Sequence, residues 1–112
     1  MNKNLQYPIY AQWIDTLDWI LSTVEKYPRT VRFTIGSRIT DYSLEILELI
    51  IEAIYTKERN TLLLRINLLL EKLRVFFYLS HKRKHISISQ YQYVSKLLNS
   101  TGQMVGGWNK KQ

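Results

Sequence analysis

Two histidines lie at a spacing that is suited to metal chemistry. His81 and His85 are four residues apart, so a helix would place both imidazoles on one side, where their nitrogens could bind a metal ion. The segment Lys82-Arg83-Lys84 lies between them and would repel a cation, and no carboxylate is near in the sequence. The chain has no cysteine, so thiolate ligands and a cysteine nucleophile are excluded. We therefore predict no metal site and no cofactor.

Other patterns that support catalysis are missing from the sequence. Asp15 and Asp18 form an acidic pair, but their spacing on an amphipathic helix is typical of a solvent-exposed face. Serine, histidine and aspartate all occur, without the Gly-x-Ser-x-Gly turn that presents a nucleophile. Gly36 and Gly102 are isolated, so there is no phosphate-binding glycine loop of the P-loop type. We predict a protein with no catalytic residues.

The distribution of charge along the chain is strongly one-sided. All nine acidic residues lie at or before Glu71, together with eight Lys/Arg, whereas residues 72–112 carry eight Lys/Arg and no acid. A positive field of this kind attracts polyanions over about 8–10 Å near physiological salt. Nucleic acid is the commonest such partner, so RNA or DNA binding is the first hypothesis. A basic protein without a specific partner is the alternative.

The residues predicted to bind a polyanion are cations of the C-terminal part. They are Arg74, Lys82, Arg83, Lys84, Lys96, Lys110 and Lys111. The segment 82–84 is the strongest of these, because three consecutive cations in a loop cannot all be buried; it could also be a solvated loop that favours a helix C-terminus. A second basic group consists of Arg29, Arg32 and Arg38. Aromatic residues interleave with the C-terminal cations, and an exposed subset could stack on bases although most are expected in the core: Tyr78, Tyr91, Tyr93 and Trp108.

Hydrophobic periodicity predicts the elements that must position these residues. Apolar residues recur at helical spacing in four segments, at about residues 9–26, 33–55, 60–81 and 89–105. The breaks between the segments are short, as expected for neighbouring helices that run antiparallel. The sequence therefore predicts one all-α domain over residues 1–112, an up-down antiparallel four-helix bundle. A three-helix bundle with a loose fourth segment is the structural alternative.

Local signals predict where two of these helices begin or end. Pro28 ends the first helix, because the residue before a proline is pushed out of the helical region. Ser87 and Ser89 each have a glutamine three residues later, so either could begin the fourth helix as a capping box. The pair Gly106-Gly107 is predicted to end it.

The third helix has two apolar faces, of which a single core can cover only the broader one. The second face is a stripe with spacings of four, seven and four, formed by Leu64, Leu68, Val75 and Leu79. Monomers seldom leave a large contiguous apolar patch bare, so we predict that this stripe is an oligomer interface. A wide core within one chain is the alternative explanation.

The sequence also bears on the compartment of the protein. The apolar runs are only a few residues long, such as Leu68-Leu69-Leu70, far short of a membrane span or signal peptide. The lack of cysteine fits a reducing compartment. We expect a cytoplasmic protein without membrane contact.

The ordered set of motifs resembles the accessory variability determinant (Avd) proteins of diversity-generating retroelements. The match covers about residues 7–110. Its pieces are Tyr7-Pro8-Ile9-Tyr10, Asp15, Trp19, residues 24–29, Arg32-Phe33-Thr34-Ile35-Gly36, residues 47–53, Leu73-Arg74, Ser89-Gln90-Tyr91 and the tail from Gly102 to Trp108. The tail ends in Gly-Gly-Trp, and the ordered set is more specific than any one piece.

The resemblance implies a function as well as a fold. It implies a four-helix bundle that assembles into a homopentameric barrel with a basic surface, encoded by a bacterium, an archaeon or a phage. It further implies binding to the reverse transcriptase of the same element and to RNA or DNA, in a complex that makes the mutagenised cDNA of a target gene. The chemistry would belong to the polymerase, so no catalytic residue is implied in this chain.

Two other functions compete with this interpretation. The wider group that the chain resembles includes four-helix-bundle proteins encoded by intervening sequences in 23S ribosomal RNA genes, so a related protein associated with ribosomal RNA is one alternative. A generic oligomeric protein-interaction bundle with incidental charge is the other. A neighbouring reverse transcriptase gene would distinguish the first alternative, and a salt-sensitive RNA-binding assay would distinguish the second.

Overall fold

The computed structural model describes residues 3–110, and all the regular secondary structure in that part of the chain is helical. The four long helices are α1 (Pro8–Val24), α2 (Ser37–Ile54), α3 (Asn60–Lys82) and α4 (Ile88–Lys110). A short 3₁₀ helix, Lys3–Gln6, precedes α1, and no strand is present among the described residues. Lys111, one of the predicted binding residues, lies outside them.

The long helices pack as a ring in which each contacts two neighbours. Helix α1 packs against α2 and α4, and α3 packs against the same two helices. Short connections join consecutive helices, so neighbours run antiparallel in a body of 42 × 23 × 21 Å. The predicted four-helix bundle is confirmed, and the three-helix alternative is wrong because α4 packs along both α1 and α3.

The apolar stripes predicted from the sequence line the core of this ring. The α1 stripe is fully buried, and the main face of α3 is buried through Ile66, Leu69, Leu73 and Phe77. Trp13 is the largest fully buried side chain, and its indole N–H donates to the Ser43 carbonyl oxygen at 3.0 Å. Burial of apolar surface contributes a free energy of about 25 cal/mol for each Å² removed from water. The hydrogen bond to Ser43 satisfies the single polar atom of the Trp13 side chain.

Hydrogen bonds between α1 and α4 close the ring. The Gln12 amide donates to the Leu97 carbonyl at 3.1 Å and accepts from the Thr101 hydroxyl at 2.8 Å. Thr101 is buried and also bonds the Leu97 carbonyl at 3.0 Å. Polar groups of the first and last helices are thereby satisfied by one another, as buried polar groups require.

The beginning of α2 differs from the prediction of a regular helix from about residue 33. After Pro28 the chain makes one helical turn, Arg29–Val31, and a π-helical segment, Arg32–Gly36, before α2 begins. Gly36 lies close to α1, since a Cβ atom there would be 3.1 Å from the Val24 Cγ1. A widened turn brings this glycine against α1, and no spacing in the sequence reveals it.

The N-terminus of α4 agrees with the prediction, but its C-terminus does not. The Ser87 N–H donates to the Gln90 side chain at 2.8 Å and the Gln90 N–H donates to the Ser87 hydroxyl at 3.1 Å, so the capping box forms at Ser87. The prediction that Gly106-Gly107 ends the helix is wrong: it continues to Lys110, and neither glycine takes a positive φ. Trp108 packs against the rest of the bundle and holds the last turn in place.

Helix α3 carries charged residues along its length, including Arg65, Glu71 and Lys72. Within residues 3–110, no helix combines the length and the apolar character that crossing a membrane demands.

Candidate nucleic-acid interface

Two connections of the bundle meet at one end. The α1–α2 connection follows the C-terminus of α1, and the α3–α4 connection follows the C-terminus of α3. Tyr27 of the first contacts His85 of the second, with ring centroids 5.5 Å apart. Tyr27 is buried, which raises the pKa of its phenol, while the neighbouring Ser80 side chain lowers that pKa in part. Tyr27 therefore packs the two connections together.

The end of α3 has an unusual backbone. Lys84 has a φ of 65°, a left-handed conformation that glycine adopts most easily. The Lys84 N–H donates to the His81 carbonyl at 2.9 Å, and the His85 N–H donates to the Ser80 carbonyl at 2.8 Å. These two bonds form a Schellman motif with a lysine at the position where glycine is preferred. A lysine thus ends the helix in a backbone conformation that is unfavourable for residues other than glycine.

Cations collect around these two connections. We call residues 25–38 and 81–87 the basic end; its cations are Lys26, Arg29, Arg32, Arg38, Lys82, Arg83 and Lys84. All seven are exposed, and Glu25 is the one acid in these segments. Across residues 3–110 the ion pairs are Arg65–Glu45 and Arg74–Glu71, so none of the seven is neutralised by a carboxylate. The strongest predicted group and the second basic group therefore lie at the same end of the bundle, which the sequence did not predict.

The histidines have separate packing roles at this end. His81 stacks on Tyr91 with ring centroids 5.4 Å apart and planes 7° apart, whereas His85 packs on Tyr27. The part of the chain that the structure describes holds no cluster of three or more His, Cys, Asp or Glu side chains that could hold a metal ion. Both imidazoles thus extend the aromatic packing beneath the exposed cations.

The remaining predicted cations lie elsewhere. Arg74 is half-buried and pairs with Glu71 at 3.3 Å, so a carboxylate offsets its charge. Lys96 is exposed on α4, about 12 Å along the helix axis from its first residue. Lys110 lies at the C-terminus of α4, at the end of the bundle away from the α3–α4 connection. The predicted set is therefore not one continuous surface.

The opposite end of the bundle combines cations with aromatic rings. We call residues 3–7, 55–59 and 104–110 the opposite end. Trp108 lies 5.3 Å from the Tyr7 ring, and the Arg59 guanidinium lies 4.9 Å from the Trp108 ring. The Lys3 ammonium lies 5.0 Å from the Tyr55 ring. Here the cations cover apolar rings of the same chain, an interaction of about 0.5–1 kcal/mol at exposed sites.

The second stripe of α3 is exposed along its length. Leu64 is 70% exposed, Leu68 49%, Val75 55% and Leu79 38%. The wide core that would have covered them within one chain is therefore absent from the bundle. Beside this stripe, Arg65 of α3 pairs with Glu45 of α2 at 3.0 Å.

Comparison with known proteins places the chain in a family. Comparison with curated proteins and with solved structures gave no match. A family model described as bAvd-like matches residues 9–112, which is nearly the whole chain and the whole bundle. Avd-type proteins are accessory proteins, and the resemblance noted from the sequence is confirmed by this match. The chain belongs to the bAvd-like family.

Proposed function

We propose that this protein is a non-catalytic accessory subunit of a retroelement reverse transcriptase, which binds nucleic acid and the polymerase during mutagenic cDNA synthesis. The observation that carries the proposal is the basic end, where seven exposed cations have no carboxylate partner among residues 3–110. Phosphate groups suit such a surface, because each contact releases counterions from the nucleic acid. Membership of the bAvd-like family supports the accessory role.

The lysine in the left-handed position is a second support for this surface. An L residue other than glycine pays about 1–2 kcal/mol in that conformation. Lys84 retains a charged side chain there, beside Lys82 and Arg83. A cation at a position where glycine would be more stable is consistent with a binding role for its charge.

The proposal includes self-assembly through the second stripe of α3. Four apolar side chains at helical spacing are exposed there, and they would be covered in a homo-oligomer, for which the family resemblance suggests a pentameric barrel. In a ring of subunits the basic end would be repeated about the axis. Weak phosphate contacts would then add through multivalency.

Assembly is tested by light scattering with a pair of matched variants. Leu68→Asp places a charge in the stripe and should dissociate the oligomer, because an unpaired charge would be desolvated in the interface. Asn67→Asp adds the same charge at the exposed neighbouring position and should leave the oligomer intact. A parent protein that is monomeric at micromolar concentration would contradict assembly.

Nucleic-acid binding is tested by fluorescence anisotropy with RNA over a range of salt concentrations. The parent should bind tightly at low salt and weaken steeply as salt rises. Changing Lys82, Arg83 and Lys84 together to Ala should weaken binding and reduce the slope of log affinity against log salt by about 2, since each single-strand phosphate contact contributes about 0.7.

The matched control removes the same charge from the opposite end. Changing Lys3, Lys57 and Arg59 together to Ala should change affinity much less, although the net charge falls equally. Equal losses in the two triple variants would show that only total charge matters. Co-elution of each variant with the reverse transcriptase of the same element then tells whether the basic end binds the polymerase, the nucleic acid or both.

A further inference from the structure

Phe33 is the most exposed large apolar side chain of the described residues, at 80%. It lies within the π-helical segment Arg32–Gly36, at the basic end. A bulky ring in water forgoes the stabilisation that burial would bring, about 25 cal/mol for each Å² left uncovered. This position therefore needs an explanation that core packing does not supply.

The backbone around Phe33 is firmly held. The Val31 and Arg32 N–H groups donate to the Pro28 carbonyl at 2.9 and 3.2 Å. The Ser37 hydroxyl donates to the Arg32 carbonyl at 2.9 Å, and Gly36 packs closely against Val24. The segment thus has satisfied hydrogen bonds and a fixed position on α1, so the outward direction of Phe33 is set by the fold. Single π-helical turns often mark functional positions.

The opposite end shows how the chain treats a similar ring. Tyr55 is 60% exposed there, but the Lys3 ammonium lies over its face. No ring contact and no cation–π contact of the described residues involves Phe33, although Arg29, Arg32 and Arg38 are near it in sequence. Both faces of the Phe33 ring are therefore open for a ligand.

We propose that Phe33 is a stacking platform for an unpaired base of single-stranded nucleic acid, whose phosphates contact the surrounding arginines. Aromatic rings beside cations are the combination that single-strand binding uses, because every base has a face that stacks and every nucleotide has a charge. In a duplex the base faces are already stacked on one another. The basic end should therefore bind single strands more tightly than duplexes. This inference rests on the proposed nucleic-acid binding and specifies its ligand.

The test compares Phe33→Ala, Phe33→Trp and the control Tyr55→Ala. The probes are labelled 20-nucleotide oligoadenylate RNA, the same length of oligoadenylate DNA and a 20-base-pair RNA duplex, at fixed moderate salt. The parent should bind both single strands more tightly than the duplex. Phe33→Ala should lower single-strand affinity about tenfold with no change in duplex affinity, since stacking contributes roughly 1–3 kcal/mol per base. Phe33→Trp should restore it, and Tyr55→Ala should bind like the parent.

Several outcomes would overturn the inference. If Phe33→Ala binds the single strands as the parent does, or loses single-strand and duplex affinity equally, Phe33 is not a base platform. A change of oligomer size would assign the ring to contacts between copies of the chain. Loss of polymerase co-elution with intact RNA binding would assign it to a protein partner. A parent that binds none of the probes would reject the proposed function itself, whereas a parent that binds them equally rejects only the stacking.

Discussion

At the opposite end of the bundle, Arg59 covers Trp108 and Lys3 covers Tyr55, so these cations contribute to the packing of their own chain. At the basic end, one contact of that kind occurs, between Lys82 and the Tyr78 ring at 5.9 Å, and none of the seven cations pairs with a carboxylate of residues 3–110. The same residue types thus have different roles in the two places. The cations of the basic end mostly lack the ring and acid contacts that occupy cations elsewhere in residues 3–110, and this difference is the reason that we propose it as the binding surface.

Truncation of one aromatic residue at each end should have very different effects on stability. Trp108→Ala removes a half-buried ring that packs on Tyr7 and Arg59, and should lower the free energy of unfolding by about 2 kcal/mol, less than a fully buried Trp because part of the ring is exposed. Phe33→Ala should leave stability within about 0.5 kcal/mol. Urea unfolding followed by circular dichroism measures both. Equal destabilisation would mean that the two rings have the same structural role.

Relief of backbone strain at Lys84 should have opposite effects on the stability of the fold and on RNA affinity. Lys84→Gly removes the cost of the left-handed conformation and should stabilise the protein by about 1 kcal/mol while weakening RNA binding. Arg83→Gly is the matched control, because it removes the same charge at a residue with a φ of −87°. It should weaken RNA binding without any gain in stability. Unchanged RNA affinity in both variants would remove this turn from the binding surface.

Substitution of glycine by alanine should increase stability at Gly106 of the opposite end but not at Gly36 of the basic end. Nothing lies within 4 Å of a Cβ atom at Gly106, so Gly106→Ala should stabilise α4 by about 0.5–1 kcal/mol. At Gly36 the added atom would lie 3.1 Å from Val24, so Gly36→Ala should bring no such gain. Thermal unfolding compares the two variants. If Gly106→Ala changes the oligomer size, another chain approaches that surface closely.

The smallest effect concerns alkaline pH. Burial raises the pKa of Tyr27 above 10.0, so the unfolded chain loses this proton at a lower pH than the folded chain does. The corresponding stability is complete below pH 10.0 and is lost as pH rises through the raised pKa of the folded state. Tyr27→Phe should flatten this part of the decline, because it removes the buried phenol. Unfolding free energies measured between about pH 9 and 11 decide this, and identical declines in the parent and Tyr27→Phe would contradict it.

Periodicity was sufficient to predict the bundle, because burial of one face of each helix dominates its packing. The stripe from Ile9 to Val24 is buried as expected. The second stripe of α3 is exposed, because the core of one chain covers only the broader apolar face of that helix. The continuation of α4 past Gly106-Gly107 could not be predicted, because it depends on contacts of Trp108 with residues distant in sequence. Tertiary packing there overrides the local preference of glycine.

The candidate site could be predicted only in part. The segment 82–84 was identified because a run of cations must be exposed. Its position at the same end of the bundle as Arg29, Arg32 and Arg38 depends on the contact of Tyr27 with His85. These two residues are 58 positions apart, and local patterns do not encode such a contact. Arg74 differs from these residues, because its charge is offset locally. Its partner Glu71 is three residues away, and helical geometry brings the two side chains together.

Gln12 links α1 to Leu97 and Thr101 of α4, across 85 and 89 residues. The other three helix pairs are consecutive in sequence, so they can form through short loops, whereas this seam requires closure of nearly the whole chain. The entropy of closure grows with loop length, which places the α1–α4 seam late in folding. The same seam should open first in local fluctuations, so that amide protons along its exposed edges exchange before those of the α2–α3 pair.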